Sequence, residues 1–353
     1  MTNTSEPTPP LPPPHDNWDI DTSTIITLRS EADSRYTKGI PLFNKEEIRE
    51  ADRQVKAAAN GRGGVVSVKR LDGMTVYEQI PAGVRESEPE LMFSQLQAMK
   101  DPEHPAPYYS SLYVDYPIKL QNKDTGELLP PRFVQSCEYV DKFMSTLQNW
   151  EATPACKHLR LELTELLKSY SSLRNITKIV GFSFGTLCKL KIDKSSSHSR
   201  SSWHQHALLS TLLDVLRSEG KNSGAEEIPC YLQDPAYTDT DKSLLANLGM
   251  TVVDGAEGFL STDDSTAVLS FSSNVPVKHI VLDIAQPAMI IWDRLHEDEE
   301  MTDPASPRIR KTLDKFYDEH GLKCDEEHFY GANIHVRRAA TSSNTRCPRW
   351  MDS

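Results

Sequence analysis

Five small or acidic residues lie just after predicted strands, where α/β proteins place their ligand-binding groups. They are Gly181, Ser183, Gly185, Asp234 and Glu257. The first three form a small-residue turn after the apolar pair Ile179-Val180, and such a turn lets a ligand approach the backbone. An acidic residue after the next strand, here Asp234, often holds a ribose hydroxyl. The pattern predicts a ligand-binding crevice, with a plain tight turn and an Asp-Pro turn as the alternatives.

Two nucleotide-binding signatures are missing from this turn. Residues 181–185 have the spacing Gly-x-x-x-Gly rather than Gly-x-Gly-x-x-Gly, and no Lys-Ser/Thr pair of a phosphate-binding loop follows. The bulky Phe182 and Phe184 would also crowd a cofactor at this turn. The sequence therefore predicts no catalytic residues, and it favours a binding protein over an enzyme.

No metal centre is predicted from the histidines and cysteines. His204 and His206 are two residues apart in a predicted helix, so their side chains point to different sides. The six cysteines include no Cys-x-x-Cys pair, which argues against a zinc ribbon and a thioredoxin-type site. Cys347-Pro348 resembles a haem-regulatory dipeptide with an axial thiolate, although chance is the simpler explanation of one dipeptide.

Composition limits the cellular compartments and the classes of binding partner that we expect for this protein. The 353 residues carry a formal net charge of −12, with a pI near 5.4, and nucleic acid and anionic membranes repel such a chain. The most apolar window, 279–292, is too short and too polar to span a bilayer. The Pro-rich start lacks the apolar segment of a secretory signal. We expect a soluble cytoplasmic or nuclear protein with reduced thiols, and neither membrane nor nucleic acid as a partner.

Residues 175–295 alternate between strand-like and helix-like patterns. Strands are predicted at 179–180, 228–232, 250–253, 267–271 and 280–284. Helices are predicted between them at 202–219 and 241–247. Such alternation is typical of a mainly parallel sheet with helices on both faces. The predicted fold class is α/β, a three-layer Rossmann-like sheet with an N-terminal helical and hairpin extension.

The N-terminal part is predicted to contain a disordered segment and an extension that packs on this core. Residues 1–35 are rich in proline and polar residues, which predicts disorder. Residues 36–174 are predicted to form helices and a hairpin. The predicted elements are a helix at 45–59 capped by Asn44, a hairpin within 64–77 around Asp72-Gly73, and helices at 87–100, 132–150 and 155–170.

The C-terminal part has a less regular pattern. Residues 296–338 are predicted to contain a helix from Arg308 to His320 and an edge strand from Phe329 to Val336. Residues 339–353 are predicted to be a flexible tail. Residues 36–338 together are predicted to form a single domain.

Several short motifs occur in an order that resembles a known family. They are the turn at 181–185, Gln205-His206-Ala207-Leu208-Leu209, Asp234-Pro235-Ala236-Tyr237, Leu245-Ala246-Asn247-Leu248-Gly249, Glu257-Gly258 and Asp283-Ile284-Ala285-Gln286-Pro287-Ala288. This segment, 175–295, resembles the domain of the Sensitivity to Red Light Reduced family, the SRR-like domain, in its fungal members. Plant and animal members share a Pro-His-Cys segment, which residues 272–277 lack.

The resemblance implies a regulatory α/β domain without an established set of catalytic residues. Plant members are linked to light signalling and circadian timing, and animal members to haem-related regulation. We therefore expect a non-catalytic regulatory protein that binds a protein partner or a small nucleotide-like ligand in the Rossmann-like crevice. The alternatives are a methyltransferase-like enzyme using S-adenosylmethionine and a haem-linked regulator. No cofactor is assigned, and S-adenosylmethionine and haem are the candidates.

Overall fold

Two helices and a hairpin begin the part of the chain that a computed structural model describes. The described residues are 22–83, 88–95, 99, 110–116, 133–134, 137–190, 197–219, 228–295, 303–322, 329 and 331–339. The first elements are α1 (Thr22–Lys38), α2 (Lys45–Ala58), β1 (Gly64–Lys69) and β2 (Thr75–Ile80). β1 and β2 pair antiparallel around the predicted Asp72-Gly73 turn. The Asn44 side chain caps α2 by accepting hydrogen bonds from the N–H groups of Glu46 and Glu47.

α1 corrects the prediction of disorder for part of residues 1–35. Leu28 and Ala32 lie one helical turn apart and are fully buried. The helix is therefore stabilised by packing of one apolar face, which the proline-rich composition of the preceding residues obscured. Residues 1–21 lie outside the described residues.

The predicted helix at 87–100 is wrong where β3 (Glu90–Phe93) is described. β3 pairs antiparallel with β4 (Leu112–Asp115). Leu91 is buried while Glu90 is exposed, which is the alternation of a strand with one buried face. The partner strand lies about twenty residues further along the chain, so local sequence could not reveal it.

The remaining described elements form the core and its covering helices. The helices are α3 (Cys137–Ala152), α4 (Pro154–Ser169), α5 (Ser197–Glu219), α6 (Asp239–Asn247), α7 (Glu257–Ser261), α8 (Val277–Ile284) and α9 (Pro307–Phe316). The strands are β5 (Phe133–Val134), β6 (Lys178–Phe182), β7 (Lys189–Leu190), β8 (Cys230–Gln233), β9 (Thr251–Val252), β10 (Thr266–Ser270), β11 (Met289–Trp292), β12 (Tyr317–Gly321) and β13 (Asn333–Arg337). β5 and β7 form a separate antiparallel pair.

Seven strands form the central sheet, in the order β12-β13-β11-β10-β6-β8-β9. The pairs from β11 through β9 are parallel, and β13 is antiparallel to both of its neighbours. The chain leaves β6 toward β8 and later returns to β10 on the other side of β6. The strand order therefore reverses between β6 and β10, which makes their carboxyl ends the topological switch point. The predicted α/β class with a mainly parallel sheet is confirmed.

Three predictions in the C-terminal half are corrected. The apolar run 280–284, predicted as a strand, lies in helix α8, and the next strand is β11. Short apolar runs buried on all sides do not distinguish helix from strand. The helix predicted to reach His320 ends at Phe316, where β12 begins. β12 is the edge strand, so the predicted edge strand in the 329–336 region, observed as β13, is internal.

Each face of the sheet has its own apolar core. One face packs against α3, α4 and α5 through residues such as Leu159, Leu208 and Leu212. The other face packs against α7, α8 and the N-terminal elements, so that Val180 and Val268 share one cluster with Ile48 of α2. α9 covers the part of this second face near β11. The N-terminal elements are thus a covering layer of the sheet.

Candidate functional site

Gly181 lies within β6 and faces the core. A Cβ atom at this position would lie 2.5 Å from Leu232 Cδ2 and 2.8 Å from Phe184 Cε2. Glycine within a strand often marks a close approach of neighbouring groups. The contacts show that the space at Gly181 is filled by core side chains.

Ser183 and Ser272 follow the two strands of the switch point, and both have left-handed backbone conformations. Their φ angles are 60° and 46°, a region that non-glycine residues rarely adopt. Ser183 Oγ donates a hydrogen bond of 2.7 Å to Ser273 Oγ, which joins the loop after β6 to the loop after β10. Strained residues of this kind cluster at ligand-binding and switch regions.

Gly185 and Asp234 are brought into direct contact. Gly185, with φ of 71°, donates its N–H to Asp234 Oδ2 at 2.7 Å, and Ala236 donates its N–H to Asp234 Oδ1 at 2.8 Å. Burial raises the pKa of Asp234, although these two N–H groups favour the ionised form and counteract the shift. Asp234 therefore connects the loop after β8 to the loop after β6.

Glu257 is the exposed first residue of α7. The next residue, Gly258, donates its N–H to Gln233 Oε1 at 2.8 Å, at the end of β8. Phe259 stacks on Phe182, the last residue of β6, with ring centroids 4.5 Å apart. The structure thus joins Ser183, Gly185 and Asp234 by the bonds of two adjacent loops, while Gly181 packs in the core and Glu257 lies on the rim.

Asp241 organises the same loop, although it is not among the site residues predicted from the sequence. This buried carboxylate accepts hydrogen bonds from Thr186 Oγ1 at 2.7 Å, from Leu187 N–H at 2.9 Å, and from Thr238 N–H at 2.7 Å. Thr238 also caps α6 in a reciprocal capping box with Asp241. The spacing Thr-x-x-Asp at 238–241 is the sequence signal that could have found it.

His206 connects two of the sequence motifs in the interior. Its Nδ1 lies 2.7 Å from the Ser202 carbonyl oxygen and its Nε2 lies 2.8 Å from the Tyr237 hydroxyl. The ring also packs edge-on against Phe184, with centroids 5.1 Å apart. Burial lowers the pKa of His206 to about 4, so the ring is neutral near pH 7. Because both nitrogens are engaged, His206 holds the loop after β6 in place and is not free to bind a metal.

A buried ion cluster lies at the carboxyl ends of β10 and β11. Lys278 Nζ lies 3.1 Å from Asp293 Oδ1 and 3.2 Å from Asp303 Oδ2, and all three side chains are almost fully buried. The Lys278 N–H also donates to the Asp303 carboxylate. Burial raises the pKa of Asp303 to about 6. No local sequence pattern marks these residues, because they come from three separate elements.

Cavities and other candidate sites lie away from the five predicted residues. One cavity of about 280 Å³ lies between α2 and β1, and another of about 370 Å³ lies between α3 and α6. Within the described ranges, no three His, Cys, Asp or Glu side chains are grouped so that they could hold a metal ion. The helices of the described chain include none with the length and apolar character needed to cross a bilayer.

The comparisons with known proteins place this geometry in a family. A model of the SRR1 domain matches residues 163–340, half of the chain. The chain belongs to the SRR1 domain family. No curated protein matches it. A crystal structure of a protein from Corynebacterium glutamicum is similar at 10% identity and a TM-score of 0.32, covering 59% of this chain and 94% of the other.

Proposed function

We propose that this SRR1-domain protein is a regulatory protein that binds a small nucleotide-like ligand between the carboxyl ends of β6 and β10. The observation that carries the proposal is the pair of left-handed serines, Ser183 and Ser272, in the loops that follow the two strands of the switch point. Open α/β sheets bind their ligands at this place. Maintaining two strained residues in neighbouring loops costs stability, and a function at this position would explain that cost.

Two features of the side chains around the proposed binding site support the proposal. Asp234 lies at the end of β8 with one lone pair on each oxygen left after its two backbone hydrogen bonds, and these can accept from ribose hydroxyls. Phe182 and Phe184 are buried in the cores on opposite faces of the sheet. Both rings are therefore packed in the protein interior, where the Phe184 ring also fills the space beside Gly181.

A methyltransferase-like enzyme is the second candidate, and one observation favours it. Antiparallel β13 lies between β11 and β12 in an otherwise parallel sheet, an order typical of S-adenosylmethionine-dependent methyltransferases. A shared strand order is a fold-level analogy, and function depends on the residues of the site. We assign no catalytic residue for this candidate.

A haem-linked role has less support from the described residues. The nitrogens of His206 are both engaged by Ser202 and Tyr237, which removes one potential axial ligand. Cys347-Pro348 lies outside the described residues. Haemin therefore enters the test below as a probe.

The proposal is tested by thermal-shift titration of the full-length protein with S-adenosylmethionine, S-adenosylhomocysteine, NAD, ATP and haemin. We expect a saturable rise in melting temperature with a nucleoside-containing probe, because a ligand that binds only the folded state stabilises it. Ser183→Asn should weaken this binding by about tenfold or more, a loss of about 1.4 kcal/mol. Asparagine tolerates the left-handed conformation and places an amide at the crevice.

Asn60→Ser is the matched control. Asn60 also has a positive φ, of 58°, but it lies in the turn after α2, so the variant should bind as the wild type does. A shift confined to S-adenosylmethionine and S-adenosylhomocysteine would favour the methyltransferase-like candidate. Cooperative melting without a shift from any probe would reject the small-ligand proposal and leave a protein partner as the regulatory mechanism.

A further inference from the structure

Four backbone N–H groups of the loop after β6, those of residues 183, 185, 187 and 188, are engaged by the protein itself. Gly185 N–H donates to Asp234 at 2.7 Å and Leu187 N–H donates to Asp241 at 2.9 Å. Ser183 N–H donates to the Gln233 carbonyl oxygen at 3.2 Å, and Cys188 N–H donates to Thr186 Oγ1 at 2.9 Å.

Because these N–H groups already donate hydrogen bonds within the protein, they limit the ability of the loop to bind a phosphate group. Loops that bind phosphate after the first strand of a nucleotide-binding fold do so with backbone N–H groups that point at the anion. In this loop, two N–H groups that could bind a phosphate instead donate hydrogen bonds to the carboxylates of Asp234 and Asp241. A phosphate at this position would have to displace a carboxylate from its hydrogen bond and remain beside it.

The charged side chains around the carboxyl ends of β8 and β9 also disfavour the binding of an anion. Asp254 and Glu257 are exposed in the turn and the short helix that follow β9. Glu90 of β3 is close enough that Asp254 contributes to raising its pKa, after the larger effect of burial. Lys242 lies 3.6 Å from Asp254 and offsets part of this charge. Lys56 also lies beside Gly255, where it pairs with Asp52 at 2.8 Å. The rim formed by these residues therefore has an excess of carboxylates.

We infer that the crevice selects neutral or cationic nucleosides without phosphate groups over nucleotides. The inference rests on the proposed function and specifies its ligand class. The ribose hydroxyls donate to Asp234, an interaction that a carboxylate favours. A polyphosphate instead meets engaged N–H groups and an acidic rim, and carboxylates lower the local concentration of anions by electrostatic repulsion.

Isothermal titration calorimetry of the full-length protein with matched pairs of probes tests the inference. The pairs are adenosine with ATP and guanosine with GTP, at low and at physiological salt. The preferred nucleoside should bind at least about tenfold more tightly than its triphosphate at low salt, and the ratio should shrink as salt screens the rim. A triphosphate that binds as tightly as its nucleoside would overturn the inference and leave the proposed function standing. Absence of binding by all four probes and by S-adenosylmethionine would overturn both.

A charge-neutral variant tests the acidic rim separately. Glu257→Gln should reduce the preference for the nucleoside by about threefold at low salt and leave it unchanged at high salt. Glu165→Gln is the matched control, since Glu165 is exposed on α4, which packs on the other face of the sheet. A nucleoside preference identical in the wild type and in Glu257→Gln would overturn the role assigned to the rim.

Discussion

Three buried histidines show how single residues tie the stability of this protein to pH. Burial lowers the pKa of His206 to about 4, of His279 to about 3, and of His335 to about 4. In the unfolded chain each histidine binds a proton below about pH 6.5. Their stabilising contribution is therefore present above pH 6.5 and is lost as the pH falls toward the folded-state values.

Acidification from pH 7 to pH 5 should lower the free energy of unfolding. Each of the three histidines should contribute a loss of about 2 kcal/mol at pH 5. Asp303, Asp234 and Glu90 act in the opposite direction, because burial raises the pKa of each in the folded protein, that of Asp303 to about 6, and they offset only part of the loss. Urea unfolding at the two pH values measures the effect.

His206→Gln tests the assignment at one residue. The variant should show a smaller loss of unfolding free energy between pH 7 and pH 5 than the wild type, because one buried neutral imidazole has been removed. His158 is exposed on α4, and His158→Gln should leave the dependence unchanged. An equal pH dependence in the wild type and in His206→Gln would contradict the role of burial.

At the scale of elements, Gly181 of β6 is the position where Leu232 of β8 and Phe184 of the following loop pack closely against the strand. Gly181→Ala should destabilise the protein by about 1–3 kcal/mol, because its Cβ would overlap Leu232 and the Phe184 ring. The denaturant midpoint measures this loss. Gly321→Ala in edge strand β12 is the control, since the nearest atom to its added Cβ is 4.0 Å away. Equal denaturant midpoints for the two variants would show that the side chains around Gly181 rearrange to accommodate the added methyl group, which would contradict the prediction.

The whole molecule depends on its N-terminal elements to cover one face of the sheet. Val180, Phe182 and Val268 pack in one cluster with side chains of α1, α2 and the hairpins. Polar contacts connect the same parts: the Leu42 and Phe43 N–H groups donate to Asp283 at 2.7 and 3.0 Å. The segment that matches the SRR1 family, 163–340, therefore lacks part of its own covering layer.

A chain that begins at residue 163 should not fold to a native monomer. Its sheet would expose the apolar face that the N-terminal elements cover and, without α3 and the first half of α4, part of the other face as well. Asp283 would also lose two of its hydrogen-bond donors. Near-ultraviolet circular dichroism and dye binding would report the loss of packing. Deletion of residues 1–21 is the control and should preserve the native signal. A cooperative native melt of the 163–353 chain would show that the domain folds independently.

Local patterns in the sequence predicted the features that depend on neighbouring residues. The cap at Asn44, the hairpin around Asp72-Gly73 and the alternation that makes the sheet mainly parallel are encoded within a few residues each. The ordered motifs also pointed to the SRR-like family, which the match at 163–340 shows.

Only the tertiary structure decided the features that depend on distant partners. The run 280–284 is a helix because it lies in the crossover that connects the parallel neighbours β10 and β11, and Glu90–Phe93 is a strand because β4 pairs with it. Asp241 joins the loop after β6 from a position more than fifty residues away in the chain. Periodicity and turn chemistry act over a few residues, whereas the packing and hydrogen bonding of these groups depend on which segments the fold brings together.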